Sequence, residues 1–357
     1  MCIIDRNFSK MPIASTGFAV FTCHADFYNE FLFYYLMSPD FDSYANNVEN
    51  SKGVAYPAIN DTRLYKALIP LPPVDEQHRI VDKIKSVLPE IEKYDLVETE
   101  LSNMNRDFPE NLKRSILQWA VQGRLVPQDP SDEPAEVLLE RIRTEKQRLV
   151  KEGKIKKDKH ESIIFRRDNS HYEKLNGIKR CIDDEIPFDI PDNWSWVRLG
   201  SLFQHNTGKA LNSSNKVGTK LTYITTSNLY WDKFVLDKLK EMPFTDAEVE
   251  KCTVIKGDLL VCEGGDIGRA AIWNYDFPIR IQNHIHRLRS YIPINVKFYY
   301  YNFYLYKHMG LIGGKGIGIQ GLSSNAIHQL LFPLPPSNEQ HKIVEKIEAL
   351  LPFCENL

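Results

Sequence analysis

The chain has 357 residues, 43% of them hydrophobic and 26% charged, which is enough for two globular domains that each bury an apolar core. Its formal net charge of −2 does not by itself indicate nucleic-acid binding, so the distribution of charge is more informative. Residues 71–135 carry 8 Lys and Arg against 13 Asp and Glu, residues 136–186 carry 14 against 11, and residues 187–332 carry 16 against 12. An acidic stretch is therefore followed by two mildly basic ones.

The six cysteines show neither metal-ligand spacing nor the tight framework of a disulfide-rich fold. Their pattern excludes a secreted disulfide scaffold and indicates a reduced, cytoplasmic protein. No N-terminal stretch combines a basic start with an apolar run, and no apolar run approaches the length of a membrane span. We therefore expect a soluble chain inside the cell.

Residues 70–122 predict one long helix. Pro72 and Pro73 end the element that precedes it, because the residue before a proline is disfavoured in the helical conformation. Asp75 follows them and has the side chain of a residue that caps a first helical turn. The helix is therefore predicted to begin immediately after Asp75.

Apolar residues recur along this helix in steps of four and three, the spacing of a coiled-coil seam, with one break at Glu98. Pro89 and Pro109 are expected to kink or interrupt it. A helix over residues 76–121 would span about 70 Å, and two such helices packed antiparallel would form a spacer. The seam consists of Ile80, Ile84, Val87, Ile91, Tyr94, Leu101, Met104 and Phe108.

Residues 123–186 are predicted to form a central region and a linker. Gly123 and Pro127 end the long helix, and a second helix is predicted over residues 134–152. Residues 153–184 are polar and rich in Lys, and we interpret them as a linker without regular structure.

Residues 187–332 show a different pattern, in which short β-rich runs are separated by Gly, Asn and Asp. This pattern predicts a mixed α/β domain. An aromatic-rich helix is predicted over residues 296–309, and residues 31–44 carry its counterpart. We interpret its rings as core rather than as a base-stacking surface, because both copies show the pattern of a buried helix.

The end of the chain repeats an earlier segment. Residues 333–357 match residues 70–94 at a constant offset of 263, and 14 of the 25 positions are identical. The match extends upstream, where KGIGIQGLS at 315–323 lies over KGVAYPAIN at 52–60. This period is too long for a solenoid, so the chain holds two copies of one module, each a domain that ends in a helix. Two such copies suit a target that has two parts.

Residues 2–20 align with residues 270–288, so the first domain corresponds to the second half of the later one. The chain is thus divided into a half domain at 1–69, a long helix at 70–122, the central region and linker at 123–186, a complete domain at 187–332 and the start of a second helix at 333–357.

Motifs for catalysis are absent from the sequence. No NPPY or DPPY methyltransferase motif occurs, and GGKG at 313–316 lacks the spacing and the Ser or Thr of a phosphate-binding loop. The glycines of residues 264–268 predict a tight turn at which the backbone can approach another group. His284 and His286 alternate along a predicted strand without an evident third ligand, and we interpret them as polar readers or surface residues rather than a metal pair.

Four segments resemble those of one family. Residues 190–208, IPDNWSWVRLGSLFQHNTG, resemble the entry of its recognition domains, and residues 254–272, VIKGDLLVCEGGDIGRAAI, resemble their central turn and strand. The repeated PLPPxxEQHxIVxKI resembles the join between a recognition domain and a conserved helix. Residues 112–142, LKRSILQWAVQGRLVPQDPSDEPAEVLLERI, resemble the central conserved region. Together these segments resemble the specificity subunit of bacterial type I restriction–modification systems.

The resemblance implies α/β (α+β) target-recognition domains joined by long conserved coiled-coil helices. It also implies a non-catalytic subunit that reads double-stranded DNA, in which each recognition domain reads one half of a bipartite target. The helices would set the separation of the two halves and dock the type I modification (methyltransferase) subunits, with the restriction subunit bound indirectly. The chain itself would need no cofactor or metal, because S-adenosylmethionine, ATP and Mg would be used by those partner subunits.

Base reading needs hydrogen-bond donors and acceptors, and positioning on the DNA backbone needs cations. The loops and strand ends of residues 187–332 supply both, as does the repeated element. The candidates for DNA contact are Lys209, Asn212, Ser214, Lys216, Lys220, Tyr223, Arg269, Arg280, Gln282, Asn283, His284, Arg287, Lys315 and Gln320.

Two other interpretations stay open at this point. One is a remnant or recombination cassette that binds the modification subunit but reads no DNA. The other is the specificity tail of a fused restriction–methylation enzyme whose catalytic part lies elsewhere. The genes that neighbour this one would separate the two.

Overall fold

The computed structural model describes residues 1–4, 13–15, 17–24, 26–46, 51–52, 58–59, 61–156, 162–175, 177–211, 217–312 and 322–355. They form two compact units, residues 1–106 (unit 1) and residues 107–357 (unit 2), and the boundary lies inside one long helix. No helix in the described part of the chain is both long enough and apolar enough to cross a membrane.

Unit 1 is mainly helical. Its elements are α1 (Asn29–Leu36), α2 (Pro39–Asn46), β1 (Ser51–Lys52), β2 (Ala58–Ile59), α3 (Asp61–Leu64) and the first part of α4 (Val74–Val121).

Unit 2 combines helices with several small sheets. Its helices are α5 (Ala135–Lys151), α6 (Leu199–Leu202), α7 (Asp246–Cys252), α8 (Val296–His308), α9 (Ser324–Gln329) and α10 (Ser337–Glu355). Its strands are β3 (Ser162–Arg167), β4 (Ser170–Leu175), β5 (Ile178–Cys181), β6 (Ser195–Arg198), β7 (Phe203–Thr207), β8 (Thr219–Ile224), β9 (Leu229–Tyr230), β10 (Lys233–Phe234), β11 (Lys240–Phe244), β12 (Thr253–Val254), β13 (Leu259–Cys262), β14 (Ala270–Ile272), β15 (Ile279–Ile281), β16 (Ile285–Ser290) and β17 (Leu331–Leu334).

The predicted long helix is confirmed as α4. It begins at Val74, so Asp75 lies inside its first turn, and the prediction that Asp75 caps the helix is wrong. A carboxylate in the first turn still favours the helix, because it faces the positive end of the helix dipole. The helix continues through Pro89 and Pro109 without interruption, although each proline removes one backbone donor.

The predicted seam of α4 is only partly covered within this chain. Ile80 and Ile84 are half-buried, whereas Ile91 is 53% exposed and Leu101 is 55% exposed. Met104 is 62% exposed. Val87 and Phe108 are exposed as well, and pairing of this seam with another helix stays a prediction.

The mixture of helices and strands predicted for residues 187–332 is confirmed, and the bounds of that domain stay a prediction. One four-stranded sheet has the order β14-β13-β16-β7 and is antiparallel throughout. A second has the order β11-β8-β15-β12, in which β15 runs parallel to β8. Helix α8 packs beside them, and every residue from Phe298 to Tyr306 is buried, which confirms the interpretation of its rings as core.

The interpretation of residues 153–184 as a linker without regular structure is wrong. Strands β3, β4 and β5 form a three-stranded antiparallel sheet within it. The first turn places Asp168 and Asn169 at φ 51° and 64°, the conformation of a two-residue hairpin turn. Between β4 and β5, Gly177 has φ 83°, and the sequence at 176–177 reads Asn-Gly, the strongest short-range hairpin signal. The sequence therefore contained the signal, although the Lys-rich composition obscured it.

A buried glutamine joins the aromatic-rich helix of unit 1 to α4. The side-chain amide of Gln77 donates to the Pro72 carbonyl at 2.9 Å, and its oxygen accepts the backbone N–H of Tyr28 at 2.9 Å. Tyr28 is the residue immediately before α1, and Gln77 lies in the first turn of α4. The bonds therefore satisfy one backbone donor and one backbone acceptor at a partly buried position.

The same join recurs in unit 2. Helix α10 begins 263 residues after α4, and Gln340 lies 263 residues after Gln77. Gln340 donates to the Pro335 carbonyl at 2.9 Å and accepts the backbone N–H of Asn295, the residue immediately before α8, at 3.2 Å. The repeat seen in the sequence is thus a repeat of geometry.

An ion pair next to each join is reversed in sign between the two copies. In unit 1, Lys85 of α4 pairs with Glu30, the second residue of α1. In unit 2, Glu348 of α10 pairs with Lys297, the second residue of α8. All four side chains are between 29% and 47% exposed, so each pair contributes at most about 1 kcal/mol.

We predict that Gln340→Leu destabilises unit 2 by about 1–3 kcal/mol, because the buried Pro335 carbonyl and the partly buried Asn295 N–H lose their partners. Urea unfolding followed by tryptophan fluorescence measures the change. Gln147→Leu, at an exposed position of α5, is the matched control and should change stability by less than about 0.5 kcal/mol. Equal stability of the two variants would show that the join is not a structural requirement.

Candidate nucleic-acid interface

Three chain segments meet at one edge of the domain at residues 187–332. The backbone N–H of Gln282 donates to the Ile224 carbonyl at 3.0 Å, which joins the ends of β15 and β8. The N–H of Lys209 donates to the Ile281 carbonyl at 3.0 Å, and the Lys209 carbonyl accepts the N–H of Asn283 at 3.0 Å. Backbone hydrogen bonds therefore hold three loop starts in one place, independently of their side chains.

Two glycines permit this close approach. A side chain at Gly208 would place its first carbon 2.1 Å from the Ile281 carbonyl oxygen, so no larger residue fits there. Gly268 has φ +80°, and its first side-chain carbon would lie 2.7 Å from Ile312. Both positions require glycine, the first for space and the second for backbone conformation as well.

The tight turn predicted at residues 264–268 is present and lies at the same edge. The N–H of Glu263 donates to the His284 carbonyl at 2.9 Å, and the N–H of Leu322 donates to the Glu263 carbonyl at 3.0 Å. Glu263, at the start of the turn, is therefore hydrogen-bonded to both His284 and Leu322.

Arg269 fixes this turn to a neighbouring loop. Its guanidinium donates to the Thr226 carbonyl at 2.7 Å and lies 4.9 Å from the centre of the Tyr230 ring. Asp266 lies 3.7 Å from the same guanidinium and also pairs with Lys307 of α8. Tyr230 and Lys307 were not among the sequence candidates. Lys307 belongs to α8, whose rings we interpret as core, so no local sequence pattern identifies it as a residue of this edge.

Three of the predicted DNA contacts lie inside the domain rather than on its surface. Lys209 donates to the Glu248 carboxylate at 2.6 Å, so its charge is already paired. Tyr223 and Arg287 are each only 2% exposed, and the Arg287 guanidinium donates to the Thr253 carbonyl. Residues inside a strand point alternately inward and outward, and these two point inward. These three side chains therefore stabilise the interior of the domain and are not accessible to a ligand.

Three of the accessible candidates lie together at the converging edge, whereas Lys220 lies at the other end of its strand. Gln282 and Asn283 are partly exposed and His284 is 57% exposed at the converging edge. Lys220 is exposed at the opposite end of β8, and Arg280 is partly buried in β15. The remaining candidates Asn212, Ser214, Lys216, Lys315 and Gln320 lie outside the described residues.

His286 is fully buried, so its interpretation as a reader or surface residue is wrong. Its Nε2 lies 2.6 Å from the Leu322 carbonyl oxygen, and its Nδ1 lies 2.8 Å from Nε2 of His205. A carbonyl only accepts, so Nε2 of His286 carries the proton and Nδ1 accepts one from His205. The ring of His328 packs edge-on against His205 at 4.8 Å. Through the hydrogen bond from His286, this cluster holds the backbone at Leu322 in place.

No group of three or more His, Cys, Asp or Glu side chains in the described ranges is arranged to hold a metal ion. The arrangement at the edge instead consists of amides, an imidazole and a glycine turn held by backbone hydrogen bonds. Such groups supply hydrogen-bond donors and acceptors at fixed positions, which is the chemistry of recognition.

The family described as type I restriction modification DNA specificity domain matches residues 2–100 and 191–355. The EcoAI specificity subunit of Escherichia coli is 29% identical over 336 residues, which cover 81% of this chain and 54% of that protein. The EcoBI specificity subunit of the same organism is 23% identical over 339 residues, covering 93% of this chain and 61% of that protein. The chain thus spans little more than half the length of these curated relatives.

The solved structures include a similar protein, the HsdS subunit from Thermoanaerobacter tengcongensis. It shares 19% sequence identity and a TM-score of 0.42 over 92% of this chain and 64% of that one.

The histidine cluster should make unit 2 sensitive to acid. Burial, followed by the neighbouring His286 and His328, lowers the pKa of His205 to about 3. An unfolded imidazole has a pKa near 6.5, so below that pH the unfolded chain binds a proton that the folded chain excludes. Stability is therefore full above about pH 6.5 and is lost as the pH falls toward 3. At 1.36 kcal/mol per pH unit, His205 removes about 2 kcal/mol at pH 5.

His205→Gln should reduce this acid loss, because the replacement does not titrate. Urea unfolding at pH 7.5 and pH 5 measures it, with His284→Gln at an exposed position as the matched control. If His205→Gln loses as much stability between the two pH values as the parent does, the cluster is not the origin of the acid sensitivity.

Proposed function

The chain belongs to the family of type I restriction modification DNA specificity domain proteins, and from this premise we propose that it reads one half of a bipartite DNA target. The observation that carries the proposal is the edge where Gln282, Asn283 and His284 meet the turn at 263–269. Their side chains are accessible while their backbones are fixed by strand-end hydrogen bonds. A fixed array of donors and acceptors is what discrimination between base pairs requires.

The two amides are the strongest base readers. A Gln or Asn amide donates and accepts at once, and so matches the N6 and N7 of adenine in the major groove. Gln282 and Asn283 are adjacent, and both backbone N–H groups are hydrogen-bonded. The N–H of Gln282 is bonded to the end of β8 and that of Asn283 to Lys209, just after β7, which holds both backbones in place. His284 adds an exposed imidazole that can donate or accept.

The relatives are specificity subunits of type I restriction enzymes, and we assign the same role to this chain. In this proposal it supplies recognition within a cytoplasmic complex and performs no chemistry. Methyl transfer from S-adenosylmethionine belongs to modification subunits, and ATP- and Mg-dependent cleavage belongs to a restriction subunit. The purified chain alone is then inactive as a methyltransferase, nuclease or ATPase.

Docking in this proposal uses α4. The exposed apolar side chains from Val87 to Phe108 form a stripe along one helix, and a stripe at this spacing pairs with another helix. An isolated surface helix would not keep such a stripe in water. We assign it to the helical spacer and to assembly with modification subunits.

We predict that Gln282→Ala and Asn283→Ala relax preference at single base pairs by about 1–3 kcal/mol, because each removes a bidentate base contact. Lys220→Ala should instead weaken all sequences alike and lower the salt slope by about one, the behaviour of a phosphate contact. Binding of the full chain, with its modification partner, to a half-site library at two salt concentrations separates the two behaviours.

The matched control is Lys256→Ala, in the turn before β13, at the end of that strand opposite the turn at 263–269. It should bind every sequence as the parent does. If the Gln282 and Asn283 variants also retain the parent's preferences, the reading surface lies elsewhere in the domain.

We also predict that Ile91→Asp with Leu101→Asp abolishes assembly with the modification subunit and leaves the chain folded. Both side chains are exposed in the chain alone, so the new charges cost little there, whereas in a paired seam they would be buried at several kcal/mol. Co-purification and size-exclusion chromatography measure assembly, and circular dichroism measures folding.

Thr99→Asp with Asn103→Asp adds the same charge to the same helix away from the seam and is the control. Normal assembly of the seam variant, at the control's level, would show that the stripe has another purpose.

A further inference from the structure

The three-stranded sheet β3–β5 is anchored by one face. Glu173 of β4 is fully buried, where it accepts hydrogen bonds from Arg198 of β6 at 2.9 Å and from Ser162 at 2.5 Å. Burial opposes its ionisation, but these donors lower the pKa of Glu173 to about 2. Glu185 completes the network by accepting from Arg198 at 2.7 Å. The sheet is therefore held firmly on the first strand of the domain at 187–332.

The opposite face of this sheet, the outer face, includes Ile163, Phe165, Tyr172, Lys174 and Lys179. Strand register places Phe165 beside Tyr172, and their rings stack with centres 5.9 Å apart. Lys174 lies directly between Ile163 and Lys179 across the three strands. The Lys179 ammonium lies 5.7 Å from the centre of the Phe165 ring. Two lysines are thus direct cross-strand neighbours on this face, and one of them lies near the stacked aromatic pair.

The charge of these two lysines is not balanced by the sheet itself. Among the described residues neither Lys174 nor Lys179 has a carboxylate within salt-bridge distance. The other cations of the sheet do have one, since Arg166 pairs with Asp192, Arg167 with Asp168 and Arg180 with Glu173.

Like charges directly opposite each other on a sheet destabilise it, so this pair carries a small cost in the free protein. The surrounding sequence adds to the imbalance, because residues 151–181 contain ten Lys and Arg against five Asp and Glu, a net charge of +5. An anion bound at the outer face would relieve the repulsion between Lys174 and Lys179.

We propose that the outer face of this sheet binds the phosphate backbone of double-stranded DNA, as a contact that does not depend on base sequence. Phosphates are the anions that unpaired lysines bind as point charges, and such contacts position a protein on the duplex. Phe165 and Tyr172 are half-buried and Ile163 is 40% exposed, whereas Lys174 and Lys179 are both exposed, so charge is the most accessible feature of this face.

The identification of the polyanion as DNA rests on the proposed function. The outer face adds a second, separate contact, because its residues lie on β3–β5 and none belongs to the edge formed by Gln282, Asn283 and His284. The reading edge then distinguishes sequences, while the outer face adds affinity and orientation. A rigid anchor through Arg198 makes the two contacts act on one duplex in a fixed relation.

The test uses the full chain with Lys174→Gln and Lys179→Gln together, and duplexes of several sequences titrated over a range of salt concentrations. Loss of two phosphate contacts should lower the slope of log affinity against log salt by about 1.8, at about 0.9 per contact. Affinity near 0.1 M salt should fall by at least about tenfold, equally for every sequence. The double variant Lys174→Arg with Lys179→Arg keeps both charges and should retain the parent's slope.

Lys238→Gln with Lys346→Gln removes the same charge from exposed positions outside the sheet, and this control should bind as the parent does. The proposal is overturned if the sheet variant keeps the parent's affinity and slope, or if it loses only the binding of a protein partner. It is overturned too if the effect differs between sequences, since that is base reading. A parent chain that binds no duplex at all would refute the proposed function as well, so the two failures are distinguishable.

Discussion

A single buried glutamine holds each aromatic-rich helix to the long helix that follows it, and both units depend on this contact. Gln77 and Gln340 each bond one backbone N–H and one backbone carbonyl, so they bridge two chain segments without involving another side chain. Leaving such buried groups without partners costs more than an ordinary hydrogen bond contributes. Each glutamine therefore fixes the first turn of a helix against the residue that precedes the aromatic-rich helix.

A second buried polar group, the carboxyl of Glu339, shows that the burial of a side chain depends on distant parts of the chain. Glu339, beside Gln340, accepts a hydrogen bond from the Trp194 indole at 2.8 Å and another from Gln128. Burial raises the pKa of its carboxyl. Glu76 is the same residue of the same motif in the first copy, yet it is exposed. Identical local sequence therefore produces different burial, because the covering residues come from distant parts of the chain.

This contrast explains how much of the fold and of the candidate site could be predicted. Helix α4 and the core role of α8 follow from periodicity and aromatic content, which are local properties. Tyr223 and Arg287 could not be recognised as buried, because the inward side of a strand is decided by the sheet packed against it. His286 was misplaced for the same reason, since its partners His205 and Leu322 lie on other elements.

The sheet at residues 162–181 is the opposite case, because its turns carried a clear local signal that overall composition outweighed. Its attachment was not predictable, since Arg198 and Glu173 are 25 residues apart and meet only through folding. That ion pair attaches the described strands β3–β5 to β6, so this sheet is a structured part of unit 2. The position of the domain relative to α5 is then determined by packing within unit 2.

The reversed ion pair distinguishes the two modules from each other, whereas the glutamine join is the same in both. The join uses the backbone N–H of the residue before the aromatic-rich helix, which is Tyr28 in one copy and Asn295 in the other. Recombination that placed one domain on the other helix would therefore preserve this hydrogen bond. The ion pairs, however, would not be preserved in such a hybrid. A domain carrying Lys297 placed on α4 would meet Lys85, and Glu30 placed on α10 would meet Glu348. Exchange of whole modules between genes keeps the pairs matched, whereas shuffling between the two halves of one gene sets like charges together, so the pair biases which hybrids assemble well.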